Sequence, residues 1–288
     1  MTTIKNVSVL GTGVLGSQIA FQTAFHGFSV IAYDISAEII EQAKARFAGL
    51  AQTYIDEHVA GAADGGSAAA LANIRYSFDL GEAVEDADLV IESVPEKLDI
   101  KREVYTALAK LAPPRTIFAT NSSTLLPSEM KDFTGRPERF IALHYANRVW
   151  SHNTAEIMGT TATAPAVFQA IVDFAKATGM IPIEIKKEKA GYLLNSLLVP
   201  LLSAAGDLLV DGVAEPEMVD KVWRIATGAP LGPFQILDVV GLTTAYNILA
   251  ADPDPKRQVF AKLLKESYID EGKLGRATGE GFYSYPRG

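Results

Sequence analysis

The hexapeptide GTGVLG at residues 11–16, set directly behind the run NVSVL, leaves this chain few folds to choose from. NVSVL is short, apolar and β-branched, the composition of a strand buried on both faces of a parallel sheet. The letters that follow, GTGVLGSQIAFQTAFHG, read as a glycine turn and then a helix. Each glycine has its own task in that order. Gly11 permits the tight turn, Gly13 lets backbone amides approach a pyrophosphate, and Gly16 allows the helix to pack close to the strand. Val14 and Leu15 open the helix, whose N-terminus binds the phosphates, and belong to the same cradle.

A lone GxGxxG is a weak signal, so its surroundings must decide. The run FSVIAYDI at residues 28–35 reads as a second strand ending in Asp34, roughly 20 residues past the glycines, where a carboxylate accepts hydrogen bonds from both ribose hydroxyls. That charge repels a 2′-phosphate, and no arginine follows Asp34 directly, so NAD is the expected cofactor rather than NADP. Taken alone, Asp34 also fits as a cap for a helix beginning near Ser36. Further strands are expected at 87–94 (ADLVIESV) and 116–120, separated by a charged helix over about 99–110. Strands alternating with helices imply right-handed crossovers and a doubly wound sheet whose ligands gather at the carboxyl ends of the strands. Glu96, Asn121 and Ser123 stand at such ends.

Past Arg139, FIALHYAN reads as a strand carrying His144, and TAEIM as a short strand carrying Glu156. If the loop between them folds back, the two side chains meet. A carboxylate on one imidazole nitrogen fixes the tautomer and raises the basicity of the other, which makes a general base for a hydroxyl proton. The bland alternative is a strand histidine satisfied by backbone and a surface glutamate. His152, in the loop, has only that reading.

From about residue 185 the pattern turns helical. Residues 187–212, KEKAGYLLNSLLVPLLSAAGDLLVDG, read as one long apolar helix with a kink or break near Val199, ahead of Pro200. It is too apolar for one exposed face, which implies a homodimer through this part of the chain. Pro216 opens a further helix to about residue 226, and GEGFYSYP reads as an irregular tail packed by aromatics. The fold class is therefore α/β, a doubly wound Rossmann-type domain over 1–186 followed by an all-α domain over 187–288 that closes on the substrate.

Composition narrows the partners. A net charge of −8 excludes the basic face that nucleic acid requires. With no cysteine and four scattered histidines, no metal site is expected, and a cytoplasmic location fits. Residues 192–210 are the one stretch long enough to suggest a membrane span, but Asn195, Gly206 and Asp207 make a buried helix the better account, so no membrane is expected. A signal-peptide reading of the N-terminus is broken by its patterned glycines.

Over nearly its whole length the chain resembles the 3-hydroxyacyl-CoA dehydrogenase family, including the short bacterial 3-hydroxybutyryl-CoA dehydrogenases. The resemblance rests on GTGVLG, on DADLVIESVPE with Lys101 five residues after Glu96, and on ATNSST. It rests further on ALHYAN with Glu156 twelve residues after His144, on GYLLNSLLVPLL, on ATGAPLGPFQILDVVGL and on TGEGFYSYP. It implies an NAD-dependent dehydrogenase in which His144 and Glu156 are the catalytic pair. Ser123 and Asn195 then resemble the groups that hold the substrate oxygen, and Glu96 and Lys101 those on the nicotinamide side. It also implies an acyl-CoA substrate.

Two departures bear on that substrate. The family usually has His-Phe-Phe-Asn-Pro-Val-Pro after its catalytic strand, whereas HYANRVWSHNTAE has no proline and carries Arg148 and Trp150. Family members also reach coenzyme A with basic groups on a helical arm, yet no lysine or arginine lies between Arg46 and Arg75. A free hydroxy acid clamped by Arg148 is the first alternative. A related class of 3-hydroxyacid dehydrogenases uses a lysine three residues before the asparagine, but Tyr192 holds that position. A nucleotide-binding protein without turnover is the remaining reading.

Overall fold

The computed structural model describes residues 4–285. Eight strands form one sheet: β1 (Asn6–Leu10), β2 (Ser29–Tyr33), β3 (Ile74–Ser77), β4 (Leu89–Glu92), β5 (Ile117–Thr120), β6 (Phe140–Tyr145), β7 (Thr154–Gly159) and β8 (Ile181–Ile185). Their spatial order is β3-β2-β1-β4-β5-β6-β7-β8. Every neighbouring pair is parallel except β6 and β7, which run antiparallel. The chain winds outward from β1 to β3, then returns to β4 on the other side of β1. That reversal opens a crevice at the carboxyl ends of β1 and β4.

Helices α1 (Val14–Phe25), α2 (Ala37–Asp56), α3 (Ser67–Ala72), α4 (Leu80–Val84), α5 (Leu98–Leu111) and α6 (Pro165–Ala177) accompany the sheet. They cover both of its faces, so β4, β5 and β6 are buried at every residue and read as continuous apolar runs. One core gathers Val9, Phe21, Ile91 and Leu143, and the other gathers Leu10, Val90, Tyr105 and Phe118. Adjacent strand residues such as Val9 and Leu10 point to opposite cores, as the pleat requires.

The chain divides into two units, Met1–Leu193 and Leu194–Gly288. The second holds α7 (Leu194–Val210), α8 (Pro216–Thr227), α9 (Pro233–Val240), α10 (Leu242–Ala250) and α11 (Pro255–Leu264). Its own core contains Leu202, Phe234, Leu237, Leu242, Phe260 and Leu264. Buried Asp220 accepts from the Phe234 and Gln235 N–H groups at 2.8 and 2.9 Å and so caps α9. Buried Asp238 accepts from the Phe282 and Tyr283 N–H groups and the Tyr285 hydroxyl, at 2.9 to 3.0 Å, and pins the irregular tail.

Five features differ from the sequence reading or were absent from it. Strands β3 and β8 went unseen, because each is a short edge strand interrupted by charge, Arg75 in one and Glu184 in the other. The long helix expected from residue 187 begins only at Leu194, because Gly191 and Tyr192 take positive φ, +79° and +53°, which stops a right-handed helix. It then runs unbroken through Pro200, with Gly206 so close to Phe260 that a β-carbon there would lie 2.3 Å from the ring. The stretch GAADGGS is a tight kinked turn, with Gly61 and Gly65 at φ +81° and +99°, that leads into α3. Ahead of it, the α2 ring of Tyr54 packs on Phe21 and Phe25 of α1, at 4.7 and 5.2 Å between centroids.

Candidate active site

The glycine loop sits in the crevice between β1 and β4. Gly11 has φ +94°, and a β-carbon there would come within 2.5 Å of the Ser93 carbonyl oxygen. A β-carbon on Gly16 would lie 2.0 Å from the Gly11 carbonyl oxygen, so that glycine keeps α1 close to the strand. At Gly13 nothing lies within 4 Å of the added atom, and no side chain caps the helix that begins at Val14. Free amides, open space and a helix N-terminus make a cradle for an anionic group. Asp34 follows β2, and its Oδ2 accepts from the Thr12 N–H and hydroxyl, each at 2.8 Å. The acid is tied to the glycine loop and caps no helix; Ser36 caps α2 instead, accepting from the Ile39 N–H at 3.3 Å. Arg46 of α2 donates to the Thr12 carbonyl from the other side. These residues fit a dinucleotide: amides for the pyrophosphate and a carboxylate for the ribose.

The loop after β5 carries Asn121, Ser122 and Ser123, and Glu96 organises it. Glu96 Oε1 accepts from the Ser122 hydroxyl at 2.6 Å, the Ser123 N–H at 3.0 Å, and the Thr124 N–H and hydroxyl, each at 2.8 Å. Burial works against its ionisation, but hydrogen bonds from Ser122 and Thr124 and the charge of Lys101 outweigh it and hold the pKa down to about 2. Asn121 turns its side-chain oxygen to the Tyr145 N–H at 3.0 Å, joining the ends of β5 and β6.

Lys101 is 1% exposed. Its ammonium donates to Glu92 Oε1 at 2.5 Å and lies 3.4 Å from Glu96 Oε2. Glu92, fully buried at the end of β4, also accepts from the Val94 N–H at 2.9 Å, the Thr120 hydroxyl at 2.8 Å and the Tyr105 hydroxyl at 3.2 Å. Sequence reasoning passed over Glu92. The signal was there, since an acid inside the apolar run ADLVIESV needs a buried cation, and Lys101 is nine residues on.

Strands β6 and β7 are hairpin partners, and the antiparallel register sets His144 directly opposite Glu156. Cross-strand pairs share a face of the sheet, so the side chains meet. His144 Nδ1 lies 3.1 Å from Glu156 Oε2, and both residues are about 5% exposed. An ionised carboxylate only accepts, so Nδ1 carries the hydrogen and Nε2 is left to exchange a proton. Nε2 lies 3.1 Å from the Ser123 hydroxyl. Glu156 Oε1 accepts from the Leu193 N–H at 2.8 Å. The structure thus brings together three of the expected residues, His144, Glu156 and Ser123. Asn195 is the second residue of α7 and belongs to the second unit.

Tyr192 was also missed as a member of this site. Its ring stacks on His144 with centroids 4.3 Å apart and planes 10° apart, and its hydroxyl donates to the Ser122 carbonyl at 2.8 Å. Burial, reinforced by the charges of Glu96, Glu156 and Glu92, pushes that hydroxyl well above its ordinary pKa, so it stays a donor. No local pattern announces a ring that must cross to another strand.

Arg148 does not stand open. Its guanidinium donates to Glu57 Oε2 at 2.7 Å, and the Trp150 indole N–H donates to the same oxygen at 2.7 Å. A carboxylate of the chain itself therefore already engages one arm of this half-exposed guanidinium. Among the described residues there is no group of acidic, histidine or cysteine side chains fit to hold a metal, and no helix long and apolar enough to cross a membrane.

A family model for the NAD-binding domain of 3-hydroxyacyl-CoA dehydrogenase matches residues 6–189, and one for its C-terminal domain matches residues 191–285. The mitochondrial hydroxyacyl-coenzyme A dehydrogenase of Rattus norvegicus is 35% identical over 98% of this chain and 91% of its own. The 5-formyl-3-hydroxy-2-methylpyridine 4-carboxylate 5-dehydrogenase of Mesorhizobium japonicum is 32% identical over 98% and 91%. The solved structure of a diketoreductase acting on dicarbonyl compounds superposes with a TM-score of 0.96 at 67% identity, covering 99% of this chain and all of the other.

Proposed function

This chain belongs to the 3-hydroxyacyl-CoA dehydrogenase family and is an NAD-dependent oxidoreductase, and from that premise we propose that it reduces one carbonyl of a small dicarbonyl compound that carries no coenzyme A, and reoxidises the product alcohol. The observation that carries the substrate reading is the 67% identity to a diketoreductase. Two features of the chain support it. The arm between Arg46 and Arg75 has no lysine or arginine for a polyphosphate, and Arg148 is paired with Glu57. An acyl-CoA substrate is the second reading, favoured by the 35% identity to a hydroxyacyl-coenzyme A dehydrogenase.

Gly11, Gly13, Val14, Leu15 and Gly16 would hold the cofactor phosphates and Asp34 the ribose, with Glu96, Lys101, Asn121 and Ser123 on the nicotinamide side. When bound, NADH supplies the hydride that reduces the carbonyl carbon, and NAD accepts it in the reverse direction. The acid/base work falls to the chain. In reduction His144 gives the Nε2 proton to the carbonyl oxygen as the C–H bond forms, and in oxidation it takes that proton back. Glu156 stabilises the protonated ring through Nδ1. Ser123 donates to the developing alkoxide, and Asn195 is proposed as a second donor. In this reading Lys101 acts through Glu96, whose carboxylate orders the loop that bears Ser123.

We also propose a homodimer formed through the second unit. Helix α8 exposes Met218, Val222 and Ile225 at 58, 63 and 75%, spaced four and three residues apart on one face. A cytoplasmic location remains part of the proposal.

The test is an NADH-consumption panel with pentane-2,4-dione, acetoacetate and acetoacetyl-CoA. The dione should give the highest kcat/KM, and His144→Gln should lower kcat about 100-fold or more with NADH binding nearly unchanged. Turnover of the thioester alone refutes the substrate reading. Full activity of His144→Gln refutes the acid/base reading.

A further inference from the structure

Tyr192 exchanges no proton in this scheme, yet the three residues centred on it each hold a different piece of the site. The Gly191 N–H donates to the Ser123 carbonyl at 3.1 Å, the Tyr192 hydroxyl to the Ser122 carbonyl at 2.8 Å, and the Leu193 N–H to Glu156 Oε1 at 2.8 Å. Between those bonds the tyrosine ring covers a face of the His144 imidazole, 4.3 Å away between centroids and within 10° of parallel.

The backbone conformation gives this arrangement a cost. Tyr192 has φ +53°, a region that a bulky residue with a β-carbon rarely enters, and such a conformation persists only where the surroundings impose it. They do so here, since Tyr192 is 1% exposed and packs with Ala142, Met158 and Ile185. Ala142 and Met158 are themselves paired across the same hairpin, two residues along from the His144–Glu156 pair.

Hydrogen bonds at Nδ1 and Nε2 hold the imidazole by its edge, but the one to Ser123 at Nε2 is given up whenever that nitrogen turns to the substrate oxygen, and the bond at Nδ1 alone resists tilting of the ring poorly. A ring laid on its face removes the tilt without occupying either nitrogen. We propose that Tyr192 is a positioning residue: its ring sets the plane of the His144 imidazole so that Nε2 stays directed at Ser123 throughout the proton exchange. The hydroxyl adds a second tie, between that ring and the 122–123 loop. This rests on His144 being the acid/base group. It also gives position 192, where a related class of dehydrogenases has a lysine, a task in this chain.

The experiment compares full-length Tyr192→Leu and Tyr192→Phe with wild type and with His144→Gln. It measures steady-state reduction of whichever panel substrate turns over fastest, NADH binding by fluorescence, and thermal unfolding. Leucine keeps an apolar filling but loses the flat ring, so kcat should fall about 10- to 100-fold while KM and NADH affinity stay within about threefold, the loss expected of misplacement on the ångström scale. Phenylalanine keeps the ring and should restore kcat to within about threefold of wild type. A purely structural role would lower the thermal midpoint and leave the kcat of the folded protein unchanged, and that result overturns the proposal. So does Tyr192→Phe proving as slow as Tyr192→Leu, since the hydroxyl would then be what matters. Inactive His144→Gln beside fully active Tyr192→Leu refutes the positioning role alone. Full activity of His144→Gln removes the acid/base reading and the positioning role with it.

Discussion

Replacing Lys101 by methionine removes one partner of an ion pair that water scarcely reaches. The ammonium and the Glu92 carboxylate are 2.5 Å apart, with side chains 1% and 0% exposed. Breaking such a pair leaves a buried charge behind and costs about 3–5 kcal/mol, far above the ~0–1 kcal/mol of an exposed pair. Three neutral donors remain on Glu92, from Val94, Tyr105 and Thr120, so the lower end of that range, about 3 kcal/mol, is the expected loss. With a urea m-value of about 2–3 kcal/mol/M, the midpoint should drop by about 1–1.5 M. A Trp223→Phe background leaves Trp150 as the single fluorophore, so the reading comes from the first unit. The double variant Glu92→Gln/Lys101→Met discharges the stranded carboxylate and should recover about 2 kcal/mol of the loss. If Lys101 contributed only through the cofactor and not through its buried pair with Glu92, the variant would weaken NAD binding and leave the urea midpoint alone. A loss under about 1 kcal/mol, or a double variant no better than the single one, refutes the argument from burial.

Gly16→Ala forces an atom to within 2.0 Å of a backbone oxygen and should lower both stability and NAD affinity, whereas Gly13→Ala meets nothing within 4 Å and should keep the wild-type thermal midpoint while raising the NAD Kd, as calorimetry would show. Glu96 is held to about pH 2 against an ordinary 4.5, so its contribution is complete above pH 4.5 and is lost as pH falls from there toward 2. Glu96→Gln should therefore show a smaller drop in urea midpoint between pH 5 and pH 3 than wild type does. Ile225→Glu, which puts a charge on the exposed apolar stripe of α8, should shift light scattering from dimer to monomer without lowering the thermal midpoint of the second unit by more than a few degrees.

Much of the first unit was legible because its signals are local. A β-branched run, then glycines at 11, 13 and 16, then a helical stretch, dictate strand, turn and helix through backbone sterics that act over a few residues. The acid at 34 follows from the same geometry one strand later. The short edge strands were not legible, since four or five letters interrupted by an arginine or a glutamate carry too little periodicity.

The pairing of His144 with Glu156 lies between the two cases. A spacing of twelve allows the hairpin, but it is the register that sets 144 directly opposite 156 on one face, and a slip of one residue would have separated them. Composition and spacing alone determined a chain built to cradle a dinucleotide, with an imidazole and a carboxylate on two short strands close in sequence. Tertiary structure decided that Lys101 is buried on Glu92, that Arg148 is spent on Glu57, and that the Tyr192 ring lies on His144. Those pairings join residues 9, 91 and 48 positions apart: burial of charge and of ring area selects the first and the last, while the half-exposed Arg148–Glu57 pair follows from Trp150 packing on Tyr54 at the end of α2, and none of this exists until the sheet is wound.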